Sequence, residues 1–222
     1  MTNMSDLGFS MGVIVETLVS TYGLGGQPNV APMGAIMEKK RFMVLRIYTS
    51  SLTYKNLQKK KCAVVNITSD PEMFYRTAFK EVNPGGRIPQ ELFENAETVE
   101  APRLRTADAH VEVIVVEIAH RDREKAEVTC EAKLVRASTI LPKAYCRASF
   151  AAIEAIIYAT RVKHFLMYGG KEKQEQALQL LEKIRNCQEV ANRVAPSSRY
   201  SEIMADLTKR IEAWSVKGES LR

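Results

Sequence analysis

The sequence predicts a mainly β fold with an added helical part: six antiparallel strands closing a small barrel, then helices in the C-terminal third. Three observations carry this reading. The first fifty residues hold three β-rich runs separated only by short polar or glycine-rich turns, which describes a meander and not a βαβ unit. Residues 110–119 and 127–136 are long apolar runs with two-residue alternation. After Pro142 the apolar spacing lengthens to that of helices. We therefore expect residues 1–141 to form the barrel domain and residues 142–222 a helical subdomain.

Taken in order, GVIVETLVS (12–20) is rich in β-branched residues and reads as the first strand. YGLGGQPN (22–29) supplies the turn, and VAPMGAIME (30–38) the returning strand. The GLGG run lacks GxGxxG spacing and precedes a strand, so it reads as a hairpin turn and not as a dinucleotide loop. Lys39, Lys40 and Arg41 turn the chain into a third strand, FMVLRIY (42–48). Residues 51–60 form a short helix with Ser51 or Thr53 as its cap, followed by the apolar strand CAVVNIT (62–68). In 69–79, Asp70, Pro71 and Glu72 give a cap, a first-turn proline and a first-turn acid, the signature of a helix start. Residues 81–108 are the least regular part and read as a lid or a partner-facing excursion. The strand at 110–119 has apolar residues on both faces, so it is expected to be central or doubly covered. The strand at 127–136 alternates Val128, Cys130, Ala132 and Leu134 with polar residues and is half-buried. Three helices follow, at 143–167, 171–193 and 198–216, with Gly169 and Gly170 ending the first and Pro196 breaking between the others. The first is alanine-rich, which permits close helix approach.

The bulk numbers exclude several classes. The chain has 222 residues, 45% of them hydrophobic, and 32 Lys and Arg against 26 Asp and Glu, a formal charge of +6. An excess this small, spread along the chain, does not point to nucleic acid but favours small anionic ligands by steering. Cys62, Cys130, Cys146 and Cys187 form no CxxC pair, and three histidines show no metal-ligand spacing, so neither a disulfide scaffold nor a metal site is expected. The first ten residues do not read as a signal peptide and no run is long enough to span a bilayer, so a cytoplasmic protein with no membrane contact is expected.

Two places suggest chemistry. Arg46–Asn56 joins a strand to a helix start and holds an arginine, two serines, two threonines and an asparagine. Hydroxyls, helix-start amides and a guanidinium suit a phosphate, and a hydroxyl-rich capping loop would have the same composition. On the long helix, Arg147, Glu154 and Arg161 recur every seven residues, which returns to within about 20° on a helix. With Tyr158 one turn beyond Glu154, they form a polar stripe. It reads either as a solvent-facing salt-bridge ladder or as an arginine reaching a ligand pocket, oriented by the glutamate.

These residues resemble a known pattern. ETLVST (16–21), NVAPMG (29–34), YTSSLTYKNL (48–57), VVNITSDP (64–71) and CRASFAAIEAIIYATR (146–161) are similar to the DUF447 family of archaeal and bacterial proteins, within the wider group of FMN-binding split barrels that includes flavin reductases. The resemblance implies an FMN-binding split β-barrel with a C-terminal helical region, holding FMN noncovalently near a homodimer interface. It implies that Thr49, Ser50, Ser51, Thr53 and Asn56 hold the ribityl phosphate, with Arg46 nearby. Asn29, Ala31, Pro32 and Met33 would lie beside the isoalloxazine ring. Asn66 matches the end of the next core strand, and Arg147 and Arg161 match polar positions of the C-terminal helix. The expected function is an FMN-dependent oxidoreductase or flavin reductase with a small-molecule electron donor or acceptor. A noncatalytic FMN carrier or regulatory protein is the alternative, and a dimer holding another phosphorylated ligand a third.

Overall fold

The β-branched runs pair as their spacing requires. In the computed structural model, which describes residues 2–138, 146–168 and 170–220, β1 (Ile14–Tyr22), β2 (Pro28–Lys39) and β3 (Phe42–Tyr48) form an antiparallel meander. Helix α1 (Leu52–Lys60) leads into β4 (Cys62–Ile67). Helix α2 (Pro71–Ala78) and a small hairpin of β5 (Phe93–Asn95) and β6 (Pro102–Leu104) precede β7 (Ala109–His120) and β8 (Lys125–Ala137). The six long strands close a barrel in the order β1-β2-β3-β8-β7-β4, with β4 pairing back onto β1. Helices α3 (Arg147–Tyr168), α4 (Lys171–Val194) and α5 (Arg199–Ser220) complete the chain. The expected break at Pro142, the helix start at 143–145 and the expected stop at Gly169 lie outside the described residues.

Contacts divide the chain into two compact units, Met1–Thr68 with Phe79–Leu141, and Ser69–Ala78 with Pro142–Arg222. In the first, one face of each strand fills the barrel. Val19, Leu45, Val65, Val111, Val113 and Val128 are fully buried there, each stabilising the fold by about 1.5–3 kcal/mol relative to exposure. Met4 and Phe9 join the same core from the N-terminal segment, whose 3₁₀ turn is closed by a reciprocal Asn3–Asp6 capping box. Ser51 caps α1 by accepting from the Tyr54 amide at 3.1 Å, which turns Tyr54 and Leu57 into the core.

The strand at 110–119 is central only in its first half. The β4–β7 ladder ends at Cys62–Ile114, and beyond it β7 pairs with β8 alone, so Val116 is 56% exposed. The β2–β3 ladder also stops short. It begins at Ala35–Leu45, leaving Pro28–Gly34 paired only with β1. Pro32 has no N–H to offer a second neighbour and suits such a one-sided stretch.

In the second unit, Ala148, Ala152, Ala155, Ile156, Ala159 and Val162 form the fully buried stripe of α3. The small side chains allow close packing on α4 and α5. Asp70 caps α2 by accepting from the Glu72 amide at 2.9 Å, as its position ahead of Pro71 predicts. α2 is tied to α5 by Arg199, which forks onto Glu72 at 2.6 and 3.1 Å, and by a Tyr75 hydroxyl bond to Asp206.

Candidate functional site

The barrel unit carries a cavity of about 1010 Å³, a size that accommodates a small ligand. Three pieces of chain build it. The β1–β2 turn contributes Gly23, Leu24, Gly25, Gln27 and Pro28, with Asn29 on the strand beyond. Gly26 takes a left-handed φ of 78° and closes the turn through its amide to the Gly23 carbonyl at 3.0 Å. Helix α1 contributes Leu52, Lys55 and Lys59, which share a helix face, together with Asn56 and Gln58. The irregular stretch after α2 contributes Lys80 and the segment Pro84–Gln90, whose Gly85 and Gly86 have φ of 67° and 68°.

The inner end is a buried polar network. Thr21 and Asn29 face each other across the β1–β2 ladder, and Thr53 and Asn56 project from one side of α1, three residues apart. The Asn29 amide donates to Thr53 Oγ1 at 3.0 Å and to Thr21 Oγ1 at 3.4 Å. The Asn56 amide donates to the same Thr21 oxygen at 2.9 Å. The Lys80 ammonium donates to Asn29 Oδ1. Burial pushes the Lys80 pKa below the ordinary lysine value. Lys55, Lys59 and Arg87 stand nearer solvent around the same cavity, and none of its lining side chains is acidic. Leu24, Leu52, Ile88, Pro28, Pro84 and Pro89 supply apolar walls. Chemically, this is a donor-rich, cationic floor under an apolar slot, the pairing that holds a planar ring bearing an anionic tail.

The structure brings three of the sequence-derived residues together here: Asn29 and Asn56 in the lining, and Thr53 directly behind Asn29. The others lie elsewhere. Ser51 serves as the α1 cap, and Ser50 is exposed in the turn before it. Thr49 is tied to the β7–β8 turn, its hydroxyl donating to the Arg123 carbonyl at 3.1 Å and its amide to the Glu124 carbonyl at 2.8 Å. Arg46 pairs with its ladder partner Glu127 at 3.1 Å. Ala31, Pro32 and Met33 lie on β2 opposite Val19, Leu18 and Thr17, outside the cavity lining, and Met33 is in the barrel core. Asn66 spends its side chain inside the wall, donating to the Leu18 carbonyl at 2.8 Å and Ser20 Oγ at 2.9 Å and accepting from the Leu104 amide at 2.8 Å. Arg147, Glu154 and Arg161 are all exposed on α3 in the second unit. Burial, and then Glu154, hold the Tyr158 hydroxyl above its usual pKa, while Arg161 opposes them, so Glu154, Tyr158 and Arg161 interact along that helix.

Lys80 was not singled out from sequence, Thr21 entered only within the ETLVST match, and Pro84–Gln90 only within the irregular 81–108 stretch expected to be a lid or a partner-facing excursion. Thr21 lies in a strand with ordinary alternation, and Lys80 reaches Asn29 across 51 residues, so neither has a local signature. The glycine and proline density of 84–89 marks an excursion without saying what it covers.

Comparisons with known proteins agree with this architecture. Residues 15–140, more than half of the chain, match the N-terminal domain of DUF447, a protein family of unknown function. An FMN-bound DUF447 protein from Methanosarcina mazei is similar over 93% of this chain and 99% of its own, with a TM-score of 0.73 and 24% identity. A protein with a split barrel domain from Shewanella frigidimarina is similar over 63% of this chain and 76% of its own, with a TM-score of 0.50 and 16% identity. These likenesses show the split-barrel fold. No curated protein matches the chain.

Proposed function

The chain belongs to the DUF447 family, and on that premise we propose that it is a flavoprotein that binds FMN in the cavity over Asn29 and Asn56 and acts as an oxidoreductase or flavin reductase. The observation that carries the proposal is the cavity's composition. It has an amide-lined inner end backed by the buried Thr21 and Thr53 hydroxyls, four cationic side chains, no carboxylate, and apolar walls. A riboflavin phosphate asks for this set: charge and hydrogen-bond donors at one end, flat apolar contact at the other. The FMN-bound Methanosarcina protein, matched over almost the whole chain, supports the same ligand.

In this reading Asn29 and Asn56, backed by Thr53, line the phosphate end of the cavity. Leu24, Leu52 and Ile88 hold the ring and exclude water from one side of it. When bound, FMN supplies the hydride or electron transfer, and the protein supplies position and charge. The flavin-binding part is residues 1–141, with 142–222 as the helical subdomain. The same reading has the chain working as a cytoplasmic homodimer with the flavin near the subunit boundary. Met11, Val13 and Ile14, more than half exposed at and just before the start of β1, support contact with a second copy. Among the described residues no helix is long and apolar enough to cross a membrane.

The test is an absorbance spectrum of the protein reconstituted with FMN, followed anaerobically through addition of NADPH and then NADH. Bound flavin that bleaches promptly supports the oxidoreductase. Bound flavin that resists both donors points to a noncatalytic carrier. Failure to retain FMN at all refutes the proposal.

A further inference from the structure

Several lysines and arginines elsewhere on the barrel meet carboxylates. Arg46 meets Glu127, Lys60 meets Glu100, and Arg103 meets Glu94. Lys80 does not. It is half-buried, and its ammonium bonds the neutral amide oxygen of Asn29 and no carboxylate among the described residues. Burying a cation against a neutral partner is unfavourable, and the depressed pKa of Lys80 reflects that burial. The arrangement is nonetheless well determined. Both amide protons of Asn29 are committed, to Thr53 and Thr21, so its carbonyl oxygen is the end left to face Lys80. Asn29 thus acts as a clamp that holds the ammonium at the cavity wall. An ammonium has three donors and Asn29 takes one, leaving two for whatever enters.

We infer that Lys80, positioned by Asn29, is the charged anchor for the phosphate of the bound ligand, and that it makes the cavity select a phosphate monoester over the corresponding neutral ring compound. The inference rests on the FMN reading above and adds to it the residue that discriminates FMN from riboflavin. A dianion at this place removes the cost of the buried charge. A neutral ligand leaves that cost standing.

The experiment is a pair of fluorescence-quenching titrations, with FMN and with riboflavin, on the wild-type chain, Lys80→Gln and Lys80→Arg. Loss of one charge-assisted contact is expected to weaken FMN binding roughly 10- to 100-fold in Lys80→Gln. Riboflavin binding is expected to stay within about twofold of wild type, and Lys80→Arg to recover part of the FMN affinity. Wild-type FMN affinity in Lys80→Gln overturns the inference, as does an equal loss for FMN and riboflavin, which would mean a merely structural role. If the wild-type chain binds no FMN, the FMN reading falls by itself, and inorganic phosphate titrated calorimetrically becomes the probe. Phosphate binding that disappears in Lys80→Gln then supports the anchor, and phosphate binding that is absent or unchanged overturns it.

Discussion

Replacing Thr53 with valine removes one oxygen from the middle of the buried network and keeps the side-chain shape. Thr53 is 1% exposed and Asn29 is 4% exposed, so water does not replace the lost partner. The Asn29 amide then keeps only its longer bond, at 3.4 Å, to Thr21. A stranded buried donor costs about 1–3 kcal/mol, and the surviving contact places this case in the lower half, about 1–2 kcal/mol. For a chain of this size, about 1 kcal/mol moves the melting temperature by roughly 2–4 °C, so a drop of about 2–8 °C is expected. The same change frees Asn29 to turn away from Lys80. A loss of about 1 kcal/mol in the phosphate contact corresponds to roughly fivefold weaker FMN binding. Calorimetric melting and an FMN titration on Thr53→Val, with Thr53→Ser as the hydroxyl-retaining control, check both numbers. Wild-type melting and wild-type affinity in Thr53→Val would show that the Asn29–Thr53 bond orients nothing, and the reasoning for the whole network would fail.

Other parts of the structure yield sharper stability and titration tests. Ser51→Ala removes the α1 cap and is expected to cost about 1 kcal/mol in a thermal melt. Glu112 is fully buried and accepts from the Glu97 amide at 2.7 Å and from the Thr98 amide and hydroxyl at 2.6 Å each. Glu112→Ala removes the acceptor of all three donors, which sit on exposed residues that water reaches, and is expected to cost about 1–3 kcal/mol and to raise amide exchange at Thr98. The pKa of His110 is held below its usual value by burial and then by Arg103, whose Nη1 lies 2.9 Å from its Nε2. With the folded pKa depressed, the stabilising contribution is complete above the unfolded value near 6.5 and falls away as pH drops through the folded value. An NMR titration should place the His110 midpoint below 6.5, and a midpoint above it would contradict the assignment. Burial pushes the Cys130 thiol up to about 12, so at pH 8 its thiolate is scarce. Iodoacetamide labelling read by mass spectrometry should reach the half-exposed Cys146 and leave Cys130 unmodified in the native protein.

Much of the barrel was legible because it rests on local signals. The two-residue alternation of 127–136 and the turn residues between 22 and 29 fix strand identity and direction without knowledge of partners. Asp70 before Pro71 announces α2 for the same reason. Register is less local: the partial burial of 110–119 depends on where β4 begins, at Cys62, and alternation alone does not contain that. The candidate site divides along the same line. Thr53 and Asn56 stood out as part of the hydroxyl-rich Arg46–Asn56 stretch and through the family resemblance, and the fold then sets them on one side of α1. Arg46 also stood out by type, but its ladder partner is Glu127, 81 residues away, and that pairing is invisible in the strand itself. Lys80 is the reverse case. Its type is unremarkable among 32 basic residues, and only the fold brings it to Asn29.

A crystal structure of the chain soaked with FMN tests the central claim most directly. The account predicts the phosphate within hydrogen-bond distance of Lys80 and Asn56, beside Asn29, with the isoalloxazine ring against Leu24, Leu52 and Ile88. FMN seated elsewhere on the molecule, with this cavity holding only solvent, would contradict it.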